Sequence, residues 1–182
     1  VRDDDLSISS ELAPLAPTVL RVAWSAPSGT DSFVEFGADK TYGMVARPIE
    51  GQPGEALLVG IPADSVGHFR VVVDDGKDRW TSSDQTYQTG DVPGDFPAFE
   101  LVTDEGEAWG DFVLVTAIFQ DAAKQLLCSI VLLNREGLPV WWTPPTRQEL
   151  HAARRSLDRQ SILVSVLSNG SDQPGGVVRL GF

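Results

Sequence analysis

The side chains able to do chemistry in this sequence are few: two histidines, His68 and His151, a single cysteine, Cys128, and the adjacent arginines Arg154 and Arg155. A neutral imidazole can serve as nucleophile, general base or metal ligand, and arginines beside it can neutralise an oxyanion. His151 opens the segment HAARRSL at 151–157, which reads as a β-strand. On an unbroken strand Arg155 shares the face of His151 while Arg154 points the other way. The two arginines would then grip one anion only if the strand were bulged. A plainer reading stands beside this one, in which His151 caps a strand and the arginines are solvated.

The remaining chemistry-bearing residues read as structural. His68 falls in HFRVVV at 68–73 with no ligand-type neighbour at metal spacing. Cys128 lies in the apolar run LLCSIVLL at 126–133, where a buried, inert thiol is expected, because reactive thiols need a polar, electropositive setting. A lone cysteine also excludes an internal disulfide and any multi-cysteine zinc site. Trp141 and Trp142, adjacent on a strand, point to opposite faces, so one packs in a core and the other faces a neighbour or solvent; packing is favoured over stacking on a sugar or phenol. NREG (134–137) and SNGSDQPGG (168–176) lack the phosphate-loop lysine and the strand-to-helix context, which argues against nucleotide binding. Asn169-Gly170-Ser171 matches a glycosylation sequon, meaningful only in a eukaryotic secretory pathway. No metal and no cofactor is expected.

Composition narrows the partners. With 26 acidic and 14 basic residues the net charge is −12, which repels both nucleic acid and an anionic membrane surface. The acids at Asp3-Asp4-Asp5 and over 104–111 read as solvated surface and linker. No apolar run approaches the about 20 residues of a membrane span, so no membrane insertion is expected. At 182 residues and 42% apolar content the chain can bury a sizeable core.

The elements that must position these residues are strands. In TVLRVAWSA at 18–26, Leu20, Val22 and Trp24 form the apolar face. Asp74-Asp75-Gly76-Lys77 is a hairpin cue, as is Asn134-Arg135-Glu136-Gly137 between two apolar strands. Residues 1–5 read as a disordered start. Six or seven short strands over 6–90, with a tryptophan on the second, argue a small β-sandwich of immunoglobulin-like architecture. The segment 91–107 is a linker rich in proline, glycine and acids, whose Phe96, Phe99 and Leu101 suggest that it packs along the sandwich. Even strand spacing over 108–182 suggests propeller blades, and no amphipathic helix of useful length is found. The fold class is therefore all-β.

Two resemblances sharpen this. VAWSAP (22–27), VEFGADKTYG (34–43) and HFRVVVDDG (68–76) resemble strands of a fibronectin type III module, although Gly67 takes the place of the tyrosine at the corner. GDFVLVTAIF (110–119), SIVLLNREGLPVWW (129–142) and HAARRSLDRQSILVSV (151–166) resemble the opening blades of the bacterial arylsulfotransferase family, with Arg159-Gln160 where a turn glycine is usual. The resemblance implies an N-terminal fibronectin III-like sandwich, then one to two blades of a partial β-propeller, in a secreted or periplasmic protein. It implies sulfuryl transfer between phenols through a histidine intermediate, with a phenolic sulfate as substrate. It points to His151 as the channel-facing catalytic imidazole and to Arg155 as substrate-binding. One such imidazole cannot supply the whole catalytic set, so this chain is expected to be an inactive portion of a longer enzyme, with an open blade edge prone to self-association. The alternative is a non-catalytic all-β adhesion or assembly module. A sandwich preceding a phosphoesterase is a weaker third reading, because the metal-binding clusters of such an enzyme are missing from the sequence.

Overall fold

A computed structural model describes residues 6–100, 111–147, 150–155, 161–166 and 176–181. Among these residues there is no helix, and every strand pairing is antiparallel. Among the described residues no helix is therefore long and apolar enough to cross a membrane. The chain divides into two compact units, Val1–Asp91 and Val92–Phe182.

In the first unit, β1 (Ile8–Ala13), β2 (Ala16–Trp24) and β5 (Glu55–Leu58) form one sheet in the order β1-β2-β5. The second sheet runs β4-β3-β6-β7, from β4 (Met44–Ala46), β3 (Asp31–Gly37), β6 (Val66–Asp74) and β7 (Arg79–Thr81), with β8 (Gln85–Gln88) pairing further along β6. The two sheets share one core. Leu20, Val22, Trp24 and Leu58 come from one side, and Val34, Phe36, Phe69, Val71 and Val73 from the other. On β2 Leu20, Val22 and Trp24 enter this core as the alternation expects, and Val19, of the other set, is buried as well. Trp24 Nε1 donates to Ser32 Oγ at 3.0 Å, so the one polar atom of the buried indole is satisfied by the opposite sheet.

The Asp74–Asp78 turn forms as its residues suggest. Asp74 Oδ1 accepts from the Gly76 amide at 2.7 Å, and Asp75 Oδ1 accepts from the Lys77 and Asp78 amides, each at 2.8 Å. Between β7 and β8 the Ser82 side chain takes over from the ladder, its Oγ accepting from the Val71 amide at 3.0 Å. This break lets the chain between β7 and β8 bring Asp84 beside β6.

In the second unit, β9 (Phe112–Gln120), β10 (Leu126–Asn134) and β11 (Pro139–Trp142) form a meander in the order β11-β10-β9. A second meander follows from β12 (Leu150–Arg155), β13 (Ser161–Val166) and β14 (Gly176–Gly181). The β10–β11 hairpin closes as expected: Gly137 takes φ 79°, and Asn134 Oδ1 accepts from the amides of Glu136 and Leu138. Thr143 to Thr146 return to β10, with the Cys128 amide donating to Thr146 O at 2.7 Å. The two prolines between them bulge away, as their missing donors require.

Cys128 is buried, as its apolar setting suggests. Trp141 and Trp142 are both buried, at 7% and 4% exposure, so neither faces solvent. Part of the reason is Phe96, whose ring centroid lies 5.6 Å from that of Trp142 and 5.5 Å from that of Phe119. Phe96, with the ring centroid of Phe99 6.0 Å from its own, thus packs within the second unit, where the sequence suggested packing along the sandwich.

Candidate functional site

His151 and Arg155 both lie on β12. The pairing of β12 with β13 steps from Leu150↔Val166 to Ala152↔Ser165, so the register slips at His151. An extra residue of this kind interrupts the alternation, and a count of faces from Arg155 cannot be carried back through it. The irregularity therefore sits in the backbone at residue 151, while Ala152 to Arg155 pair regularly with Ser165 to Ile162. The side chains of His151, Arg154 and Arg155 lie outside the described residues, as do Arg159-Gln160 and the Asn169 sequon.

The described side chains that do converge belong to the first unit, on the outer face of the five-stranded sheet. Alternation on β6 turns Phe69, Val71 and Val73 into the core and leaves His68 and Arg70 outside. Across the ladder, Arg70 is paired with Glu35 and His68 with Gly37 and Thr86. The chain between β3 and β4 brings Lys40 and Tyr42 over this face, and the break after β7 brings Asp84.

Asp84 is the centre of the cluster. Its Oδ1 accepts from the Tyr42 hydroxyl at 2.7 Å, its Oδ2 lies 3.3 Å from Lys40 Nζ, and His68 Nδ1 is 3.1 Å from Oδ2 and 3.2 Å from Oδ1. The Tyr42 hydroxyl first, then His68 and Lys40, hold the Asp84 carboxyl below the usual carboxylate range in spite of its partial burial. The Tyr42 hydroxyl is pushed up, by burial first and by its hydrogen bond to Asp84 second. Tyr42 itself adopts φ 48°, a left-handed backbone that its contacts have to support. Those contacts include the Arg70 guanidinium, which lies 4.4 Å from the ring centroid.

Arg70 leads to the rest of the face. Its Nε and Nη2 both donate to Glu35 Oε2, at 2.9 and 2.7 Å, and Arg79 donates to the other oxygen of the same carboxylate. Arg79 and Arg47 lie 5.3 and 5.4 Å from the centroid of one ring, Phe33. Aromatic rings and ion pairs thus interleave across the sheet.

The sequence suggests a structural His68, because no ligand-type residue neighbours it at metal spacing. The structure supplies Asp84 as a direct partner of its ring, 16 residues on. No group of three or more histidine, cysteine, aspartate or glutamate side chains that could hold a metal ion occurs among the described residues. No protein-family model, no curated protein and no solved structure matches this chain.

Proposed function

We propose that this chain is arylsulfotransferase-like, with a fibronectin type III-type sandwich followed by one to two blades of a β-propeller. In this reading His151 is the nucleophilic imidazole, Arg155 binds the sulfate oxygens, and a phenolic sulfate is the substrate of a secreted or periplasmic protein. The observation that carries it is the strand order of the first unit. Two antiparallel sheets, β1-β2-β5 and β4-β3-β6-β7, that share one core with Trp24 of β2 suit a sandwich of the fibronectin type. The two successive antiparallel meanders of the second unit suit blades, whose neighbours in sequence are neighbours in the sheet. The register slip at His151 suits a residue re-aimed out of the strand's plain alternation.

In the reaction, an imidazole nitrogen attacks the sulfur of the aryl sulfate, the S–O bond breaks and the phenolate leaves; a second phenol then takes the sulfuryl group from the nitrogen. Further cationic groups must neutralise the sulfuryl oxygens, and these would come from additional blades. The test is an assay of the complete gene product with 4-nitrophenyl sulfate as donor and phenol as acceptor. Transfer by that product, abolished by His151→Ala and absent from residues 1–182 alone, is the expected result. Failure of the complete product, or robust turnover by the 182-residue chain, overturns the reading.

A second reading is a non-catalytic adhesion or assembly module. It is favoured by the outer face of the sandwich, where Arg47 and Arg79 flank Phe33, and Glu35 holds Arg70 and Arg79. Such a pre-ordered face loses little side-chain freedom when it meets a partner. An inactive complete product that still self-associates in sedimentation experiments would select this reading.

A further inference from the structure

We propose that His68 is a reactive imidazole whose Nε2 accepts a phosphoryl group from a small anionic donor. This site lies wholly in the first unit and does not depend on the sulfuryl-transfer reading. The argument starts from the tautomer. An ionised carboxylate only accepts hydrogen bonds, and Asp84 meets the His68 ring through Nδ1, at 3.1 and 3.2 Å. Nδ1 therefore carries the proton, and in the neutral ring the lone pair sits on Nε2.

The same carboxylate makes that lone pair more effective. A bond formed at Nε2 leaves positive charge on the ring, and a fixed anion at Nδ1 stabilises it as it develops. Asp84 is fixed, because the Tyr42 hydroxyl donates to its Oδ1 and the Lys40 ammonium lies on its Oδ2. His68 is one-fifth exposed, so a small reagent can reach the ring, while Lys40 is 71% exposed with its ammonium 3.3 Å from Asp84. An exposed ammonium held on the carboxylate that the imidazole shares suits an anionic electrophile, whose oxygens it can help neutralise, and opposes a metal cation.

With phosphoramidate as donor the step balances without another reactant. Nε2 attacks phosphorus, the P–N bond of the zwitterionic donor breaks, and ammonia leaves with the protons it already carries. The product is an Nε2-phosphoryl imidazolium whose Nδ1 proton still faces Asp84.

The experiment treats the intact chain with phosphoramidate, locates the product by peptide mass mapping, and assigns the nitrogen by phosphorus-31 resonance. We expect His68 to be modified at Nε2 about tenfold faster than N-acetylhistidine methylamide, and Asp84→Asn to remove that advantage. Lys40→Gln is expected to raise the half-saturating donor concentration by about threefold with less effect on the maximal rate. A circular dichroism spectrum of each variant establishes that the sandwich is intact, and Lys40→Gln, at an exposed position, tests the site even if Asp84→Asn does not fold. Modification at Nδ1, a rate no greater than that of the free compound, or a rate unchanged in a folded Asp84→Asn overturns the proposal.

Discussion

The ring of Tyr87 occupies the space that a side chain on Gly67 would need. The two residues face each other across the β6–β8 ladder, and a Cβ placed on Gly67 would fall 2.5 Å from Tyr87 Cζ and 2.8 Å from its hydroxyl oxygen. The aromatic ring lies over the bare backbone of its cross-strand partner and packs edge-on to Phe69, with centroids 6.1 Å apart. Gly67→Ala must expel the ring, and a loss of about 1–3 kcal/mol is expected in urea unfolding of the chain. If stability is unchanged, the ring is not held there.

The Tyr87 hydroxyl is buried without a hydrogen-bond partner. Leaving a buried donor unmade costs about 1–3 kcal/mol, so Tyr87→Phe should leave stability unchanged or raise it. Thermal melts of the variant beside the parent chain decide this, and a marked loss would reveal a partner for the hydroxyl.

Burial also pushes the Tyr87 hydroxyl far above its ordinary value, and Tyr42 is raised as well. For an acid with a raised folded value the native state keeps its proton while the unfolded state loses it. Stability should therefore fall as pH rises above the unfolded tyrosine value of about 10. Absorbance at 295 nm is expected to show tyrosinate only together with alkaline unfolding, and a reversible titration near the ordinary value with the fold intact would contradict this.

At the acid end Asp84 has the opposite sign. Its folded value is depressed, so its stabilisation is complete above the unfolded carboxyl value of about 3.9 and is lost as pH falls through the lower folded one. Asp84→Asn should cost about 1–2 kcal/mol at pH 6 and should flatten the fall in Tm between pH 4 and pH 2. An identical acid profile in variant and parent would mean that other carboxylates set it.

Ser32→Ala leaves Trp24 Nε1 buried and unpaired between the sheets. The expected loss is about 1–3 kcal/mol. Trp24 fluorescence should shift as well, and an unaltered spectrum with unaltered stability would show that the indole finds another acceptor.

Much of the fold could be read from residue patterns. Leu20, Val22 and Trp24 recur at every second position because that face of β2 meets a core, and Asn134 and Gly137 carry the turn chemistry their types predict. Pairing across long separations could not be read in this way. Gly67 looks in sequence like a corner that has lost its aromatic residue, yet Tyr87 supplies a ring over it from 20 positions away, through the register of β8. His68 looked solitary for the same reason. Its partner Asp84 comes from the break between β7 and β8, where the Ser82 hydroxyl accepts from the Val71 amide, and Tyr42 comes from the loop between β3 and β4. Any signal for this cluster lies in the outward phase of His68 and Arg70 on β6, which marks a polar face without naming what covers it. The slip at His151 had no signature in HAARRSL, since a bulge without glycine leaves no obvious residue type.

Cys128 is the sole thiol of the chain, sealed at 2% exposure with its amide bound to Thr146. A disulfide reagent added to the native protein can react only when that strand comes loose, so its colour development is a clock. The clock ticks at the opening frequency of the second half of the molecule and is silent about the first. One unmodified chain thereby carries its own reporter for comparing how the two halves breathe, with tyrosine ionisation timing one and sulfur chemistry the other.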